Sequence, residues 1–221
     1  MSQPVLEVRH LAASIQSMPA LRDLSLHVDE GEMVSLVGRN GAGKTSFMRT
    51  VMGHLPVGQG EVRFAGQDLS ALPRHTRAAL GIGYMPEDRG LVPQLTVEEN
   101  ILLPVWVSKT LDKRERLALA YELLPEVQQM ADRRALLLSG GQQKLVALAR
   151  ALAAGTRMLL LDEPFEGVAP ALAQRLADVI HALEGSRLAV LISQSDVHHG
   201  ASLFKREYRI ERGANALPET V

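Results

Sequence analysis

Cysteine is absent from this 221-residue chain, which excludes disulfides and thiol chemistry and fits a reducing compartment. A surplus of one charge is also missing. Lys and Arg number 24 against 25 Asp and Glu, for a net charge of −1. No dense basic block breaks that balance, so bulk electrostatics offers nothing to draw a nucleic acid. No apolar run approaches the roughly 18 residues needed to span a bilayer. The opening residues, Met1-Ser2-Gln3-Pro4-Val5-Leu6-Glu7, lack the basic-then-apolar layout of a secretory signal. Any membrane role must come through a partner. The remaining composition is ordinary for a globular chain, 46% hydrophobic and 22% charged. Its length suffices for a sizeable core, as one large domain or two lobes.

The chain is organised around one stretch, Gly38-Arg39-Asn40-Gly41-Ala42-Gly43-Lys44-Thr45, with Ser46 next. An apolar run, Met33 to Val37, precedes it and a helix-like run, Thr45 to Met52, follows. Strand, glycine-rich turn and helix start form the setting of a phosphate-cradling loop. Glycines let backbone N–H groups curl around an anion with no side chain in the way. The helix start adds unpaired N–H groups and the positive end of a dipole. Lys44 then reaches the β- and γ-phosphates, and the Thr45 hydroxyl is available to Mg²⁺.

Elsewhere, Val5–Arg9, Leu24–Val28, Glu61–Phe64 and Ile82–Met85 read as strands, the last stopped by Pro86. Arg74–Leu80 reads as a short helix. From about residue 91 the pattern turns helical. Thr96-Val97-Glu98-Glu99 is a capping box, Leu111–Gln129 is helix-rich, and Gly140-Gly141 opens an amphipathic run from Gln142 to Ala154. After it, Arg157–Pro164, an apolar run ending in two acids, and the apolar run Leu188–Ser193 suit strands buried on both faces of a parallel sheet. Pro170–Leu183 reads as the helix between them, and Lys205–Glu211 as a last edge strand. The alternation around a phosphate loop predicts an α/β core with its ligand at the carboxyl ends of the strands.

Asp162 falls at such an end, where beside Thr45 its natural role is to hold Mg²⁺ through water. Glu163 is placed to orient or deprotonate the water that attacks a γ-phosphate. Ser139-Gly140-Gly141-Gln142 is a second anion site at a helix start, combining a hydroxyl, free N–H groups and a dipole end. One nucleotide hardly needs two such sites on one chain. A dimer in which each subunit completes the other's site resolves this.

Gly38–Thr45, Leu138–Gln142 and Leu161–Pro164, in this order and spacing, closely resemble the ATP-binding-cassette ATPases over nearly the whole chain. The resemblance implies an α/β fold: a P-loop NTPase core with an antiparallel β edge (1–90 and 156–221) and an inserted helical subdomain (91–155). It also implies ATP and Mg²⁺ as ligands, with Gly38 to Ser46 on the phosphates. The nucleotide is sandwiched against Ser139, Gly140, Gly141 and Gln142 of a second cassette, and integral-membrane permease subunits are driven by hydrolysis. Gly81–Glu87, Leu95–Asn100 and Asp162–Pro170 look more narrowly like the cassettes of branched-chain amino-acid importers and their urea-importing relatives. That implies a paralogous cassette partner, indirect coupling to a periplasmic solute-binding protein, and a peripheral position on the cytoplasmic face of the inner membrane. A soluble nucleotide-dependent switch is the competing reading. A cassette acting on nucleic acid is disfavoured, since no basic arm or second cassette is present.

Four positions depart from the usual cassette pattern. Glu87 stands where most have a glutamine, and is assigned with Thr45 and Asp162 to the metal. Gln194 is assigned the place of a histidine that contacts the γ-phosphate, and joins Glu163 and Lys44 as a catalytic candidate. Its amide can donate a hydrogen bond but cannot carry a proton near neutral pH. Ile15 is expected on the adenine in place of an aromatic ring, and Ala169 replaces an aspartate. His198 and His199 form a weak pair with no expected metal role. Leu91, Val92, Leu95 and Trp106 are expected at the junction of the lobes, as groove lining or core.

Overall fold

The computed structural model describes residues 4–195 and 204–216; His198 and His199 lie outside them. The chain begins with a hairpin, β1 (Leu6–Ile15) and β2 (Met18–Val28). Both strands are longer than their alternation suggests. The pairing register shifts between Val8 and Leu11, and His10 within that shift holds a φ of 48°. A bulge of this kind flips the in–out pattern, which is why the readable strand stops at Arg9.

Next come β3 (Met33–Val37), α1 (Lys44–Val51), β4 (Gln59–Phe64), β5 (Gln67–Asp68), α2 (Thr76–Ala79) and β6 (Ile82–Met85). A wholly helical stretch follows: α3 (Val97–Trp106), α4 (Lys113–Leu123), α5 (Pro125–Gln128), a 3-10 turn at Ala135–Leu137, and α6 (Gly140–Ala154). The chain then returns to β7 (Met158–Asp162), α7 (Pro170–His181), β8 (Ala189–Gln194), β9 (Arg206–Glu211) and β10 (Ala214–Asn215).

The strands run β5-β4-β1-β2-β10-β9-β3-β8-β7-β6. One end is antiparallel, and β9, β3, β8, β7 and β6 pair in parallel. The expected edge strand is therefore an interior one. β9 lies between β10 and β3, its sides half-polar because only Ile210 reaches the core. That polarity, read along the chain, imitates an edge.

β7 and β8 feed two cores. Leu159, Leu161, Val190 and Ile192 pack toward α6 and α7, while Met158, Leu160, Ala189 and Leu191 pack toward α1 and the hairpin. At about 25 cal/mol per Å² of apolar burial, this double-sided packing fixes the register of the two strands. Asp162 ends opposite Ser193.

The helical stretch is tied down by side chains that satisfy backbone groups. Thr96 and Glu99 form the expected capping box. Asn100, fully buried, donates to the carbonyls of Val92, Leu95 and Thr96 and accepts from Val92 N–H. Arg116 of α4 donates to Leu152, Ala153 and Gly155 carbonyls at the end of α6, where free carbonyls and the negative dipole end collect. Arg175 of α7 pairs with Glu126 of α5 at 2.8 Å. Leu91 packs against this core, whereas Val92 and Trp106 are 38% and 43% exposed. Trp106 is thus not core, and neither it nor Leu95 walls the groove nearby. That groove, of about 680 Å³, is walled by residues such as Arg49, Tyr84, Leu103, Pro104 and Arg150.

Candidate active site

β3 delivers the glycine loop to the carboxyl end of the parallel strands. A β-carbon at Gly38 would meet the Ile210 carbonyl at 2.4 Å, so only glycine lets the loop turn beneath β9. Gly43 caps α1 at a φ of 116° and supplies no side-chain hydrogen bond, leaving the first N–H groups of α1 for an anion. Lys44 is buried and folds back over the loop. Its Nζ lies 2.9 Å from Glu163 Oε1 and donates to the Gly38 carbonyl at 2.5 Å and the Arg39 carbonyl at 3.2 Å.

β7 brings Asp162 and Glu163 to the same level. Asp162 Oδ1 accepts from Ser193 Oγ at 2.6 Å and lies 3.3 Å from Thr45 Oγ1. Its Oδ2 is buried without a hydrogen-bond partner. Burial raises the Asp162 pKa; the Ser193 and Thr45 hydrogen bonds oppose that, and the Glu87 and Glu163 charges add to it. Glu87, just beyond β6, places Oε2 3.5 Å from Thr45 Oγ1. An orphaned carboxylate oxygen, a hydroxyl and a second carboxylate form an all-oxygen set of the kind that suits Mg²⁺.

Glu163 adopts a φ of 48°, a left-handed conformation that costs a residue with a β-carbon roughly 1–2 kcal/mol. Burial disfavours its charge, but hydrogen bonds from Glu166, Lys44 and Ser195 outweigh that and hold its pKa below the ordinary value. Glu166, hydrogen-bonded to Glu163 and partly desolvated, is pushed up to about 6.

The structure corrects one assignment. Gln194 is buried, donates to Ser35 Oγ on β3 at 3.2 Å, and does not reach the site. Alternation along β8 explains this. Ser193 faces Asp162, so Gln194 faces away and Ser195 faces the site again. Ser195 Oγ lies 2.9 Å from Glu163 Oε2, 2.7 Å from Asn40 Oδ1 and 3.4 Å from Lys44 Nζ. Counting one residue further along the apolar run would have found it.

Lys44, Thr45, Ser46, Asn40, Gly41, Gly43, Glu87 and Glu163 line an open cleft of about 730 Å³. Ile15 lines it too, as expected, together with Met18, Arg22 and Arg212, which sequence reasoning missed. Ile15 and Met18 are 44% and 75% exposed at the tip of the hairpin, an apolar edge that can lie against a base. Only the length of the hairpin, hidden by its bulge, would have pointed to Met18.

Ser139, Gly140, Gly141 and Gln142 do not line this cleft. Ser139 caps α6, accepting from Gln142 N–H at 3.3 Å, while the Gln142 side chain accepts from Ser139 N–H at 3.0 Å. The hydroxyl remains free to donate. Ser139 and Gly140 are exposed, away from the residues that line the cleft. Ala169 precedes α7 without a side-chain cap.

The chain matches the ABC transporter family model over residues 21–166. It is 37% identical to a lipopolysaccharide export system ATP-binding protein, LptB, of Haemophilus influenzae, over 98% of this chain and 92% of that protein. It is 33% identical to the high-affinity branched-chain amino acid transport ATP-binding protein BraG of Pseudomonas aeruginosa, over 91% of this chain and 86% of that one. Among solved structures, the ADP conformation of an ABC transporter cassette superposes with a TM-score of 0.79 at 25% identity, covering 97% of this chain and 90% of that one.

Proposed function

The chain belongs to the ABC transporter family, an ATP-hydrolysing one, and from that premise we propose that it is the energy-coupling subunit of a membrane transporter. Among the described residues no helix is long and apolar enough to cross a membrane. Permease subunits would therefore supply the membrane path, with this chain peripheral on the cytoplasmic face. The groove beside Arg49, Tyr84 and Leu103 is the natural place to receive one of their segments.

In the proposed reaction the loop N–H groups and Lys44 hold the triphosphate, and Glu163 takes a proton from the attacking water. Ser195 orients Glu163 by donating to Oε2. Thr45, Asp162 and Glu87 would hold Mg²⁺, which neutralises charge on the β- and γ-oxygens when bound. Ser139 and the N–H groups of Gly140 and Gly141, supplied by a second cassette, would close over the γ-phosphate.

The observation that carries the reading is Glu163 meeting Lys44 and Ser195 beside the orphaned Asp162 oxygen. Glu163→Gln is expected to lower steady-state phosphate release by at least roughly 100-fold while ATP binding persists. Parental turnover in that variant would refute the assigned base.

For the solute, Glu87 and the likeness to BraG favour import of branched-chain or other hydrophobic amino acids, with a paralogous cassette and a periplasmic binding protein as partners. A urea importer shares those features. The 37% identity to LptB favours a second reading, lipopolysaccharide export. Reconstitution with the membrane subunits decides between them. Stimulation of ATP hydrolysis by a solute-loaded binding protein supports import, and stimulation by lipopolysaccharide alone supports export.

A further inference from the structure

Lys144 does not itself line the nucleotide cleft, yet its side chain is buried, 3% exposed, and aimed at the turn that carries Glu163. It lies on α6, just past the Ser139 cap. Its Nζ donates to the Glu163 carbonyl at 3.1 Å and also to the Glu166 carbonyl. Those carbonyls bracket a turn closed by Glu166 N–H on the Glu163 carbonyl at 3.2 Å. On its other side, Glu163 N–H reaches Ser193 Oγ at 3.0 Å and the Ser193 carbonyl at 3.2 Å. The left-handed backbone of Glu163 is thus gripped by β8 at its amide and by α6 at its carbonyl.

A backbone conformation that its own side chain disfavours persists only where its surroundings over-determine it. Lys144 is one of those surroundings. Burial lowers its pKa, a desolvation cost that a methionine in its place would avoid.

We propose that Lys144 is a positioning residue for hydrolysis: through its two hydrogen bonds, α6, which opens with Ser139-Gly140-Gly141, sets the aim of the Glu163 carboxylate. The Ser139-Gly140-Gly141 turn and the turn that carries Glu163 are then two ends of one rigid lever. A neighbour's γ-phosphate, gripped at the helix start, would shift the carboxylate that serves this chain's own cleft. The inference rests on Glu163 being the base.

The test uses the full chain with Mg-ATP and compares Lys144→Met, Lys144→Arg and Glu163→Gln. Phosphate release, binding of a fluorescent ATP analogue and amide exchange across residues 163–167 are measured. Lys144→Met is expected to lower kcat roughly 10- to 100-fold, the range a misplaced catalytic group costs. KM and analogue affinity should be little changed, exchange in the turn faster, and Lys144→Arg should recover most of the rate. Parental kcat in Lys144→Met overturns the proposal. So does a loss of kcat that comes only with equal losses of nucleotide affinity and melting temperature. If Glu163→Gln itself retains turnover, the base assignment fails instead. The grip of Lys144 is then judged by exchange alone, and unchanged exchange in Lys144→Met overturns it.

Discussion

Asp162 is fully buried with one carboxylate oxygen unpaired, and burial raises its pKa over the opposing hydrogen bonds from Ser193 and Thr45. A carboxyl whose folded pKa is raised above its ordinary value of 3.8 burdens the native state once ionised. That burden is absent below the unfolded pKa and grows as pH rises through the folded one. At neutral pH without Mg²⁺, Asp162→Asn should therefore raise the melting temperature while abolishing hydrolysis. In a domain of this size about 1 kcal/mol moves the midpoint by roughly 2–4 °C. The gain should shrink on acidification, and added Mg²⁺ should stabilise the parent but not the variant. A thermal melt against pH, with and without the metal, checks all three. Glu163 has the opposite sign. Its lowered pKa stabilises the fold above the ordinary carboxylate range, and that stability is lost on acidification. That Lys44, Thr45, Asp162 and Glu163 meet at one place was legible because spacing along the chain brings a loop and a strand end together. Ser195 and Lys144 were not, since their roles depend on which strand face and which helix face meet the site.

α6 shows how elements are held by their ends. Its N-terminus is capped by Ser139 and its C-terminus by the Arg116 guanidinium, which is buried against Leu152, Ala153 and Gly155 carbonyls. Arg116→Met keeps the stem and removes the donors, stranding carbonyls away from water. It should cost roughly 2–4 kcal/mol in chemical denaturation and leave ATP affinity in the folded fraction unchanged. In the sequence Arg116 is one charge in a charged helix, indistinguishable from its solvated neighbours. The elements themselves were readable wherever burial is simple: β6, β7 and α7 begin or end within a few residues of their expected bounds. Reading failed where periodicity is broken, at the His10 bulge, or where polar residues line an interior strand, at β9.

For the whole molecule, the lysine-bearing loop and the serine-glycine turn open on different surfaces, and that separation is what calls for a second cassette. Ser139→Arg, combined with Glu163→Gln, should abolish ATP-dependent association in analytical ultracentrifugation. Nucleotide affinity of the monomer should be unaltered, at a cost of about 1 kcal/mol for the lost cap. Undiminished association would rule out that turn as the contact. The sequence shows both glycine turns at helix starts but not their relative orientation, which depends on how the helical stretch packs on the sheet.

The ion pair between Lys44 and Glu163, 2.9 Å across, gives the cleft a built-in rival for its own ligand. An arriving anion has to win the ammonium from a carboxylate already beside it. A multivalent tail can outbid one carboxylate, and a nucleoside or a monophosphate is poorly equipped to. A cleft working as proposed would thereby sort its visitors by valence before shape matters, and the carboxylate displaced in that exchange would be the one then free to meet water.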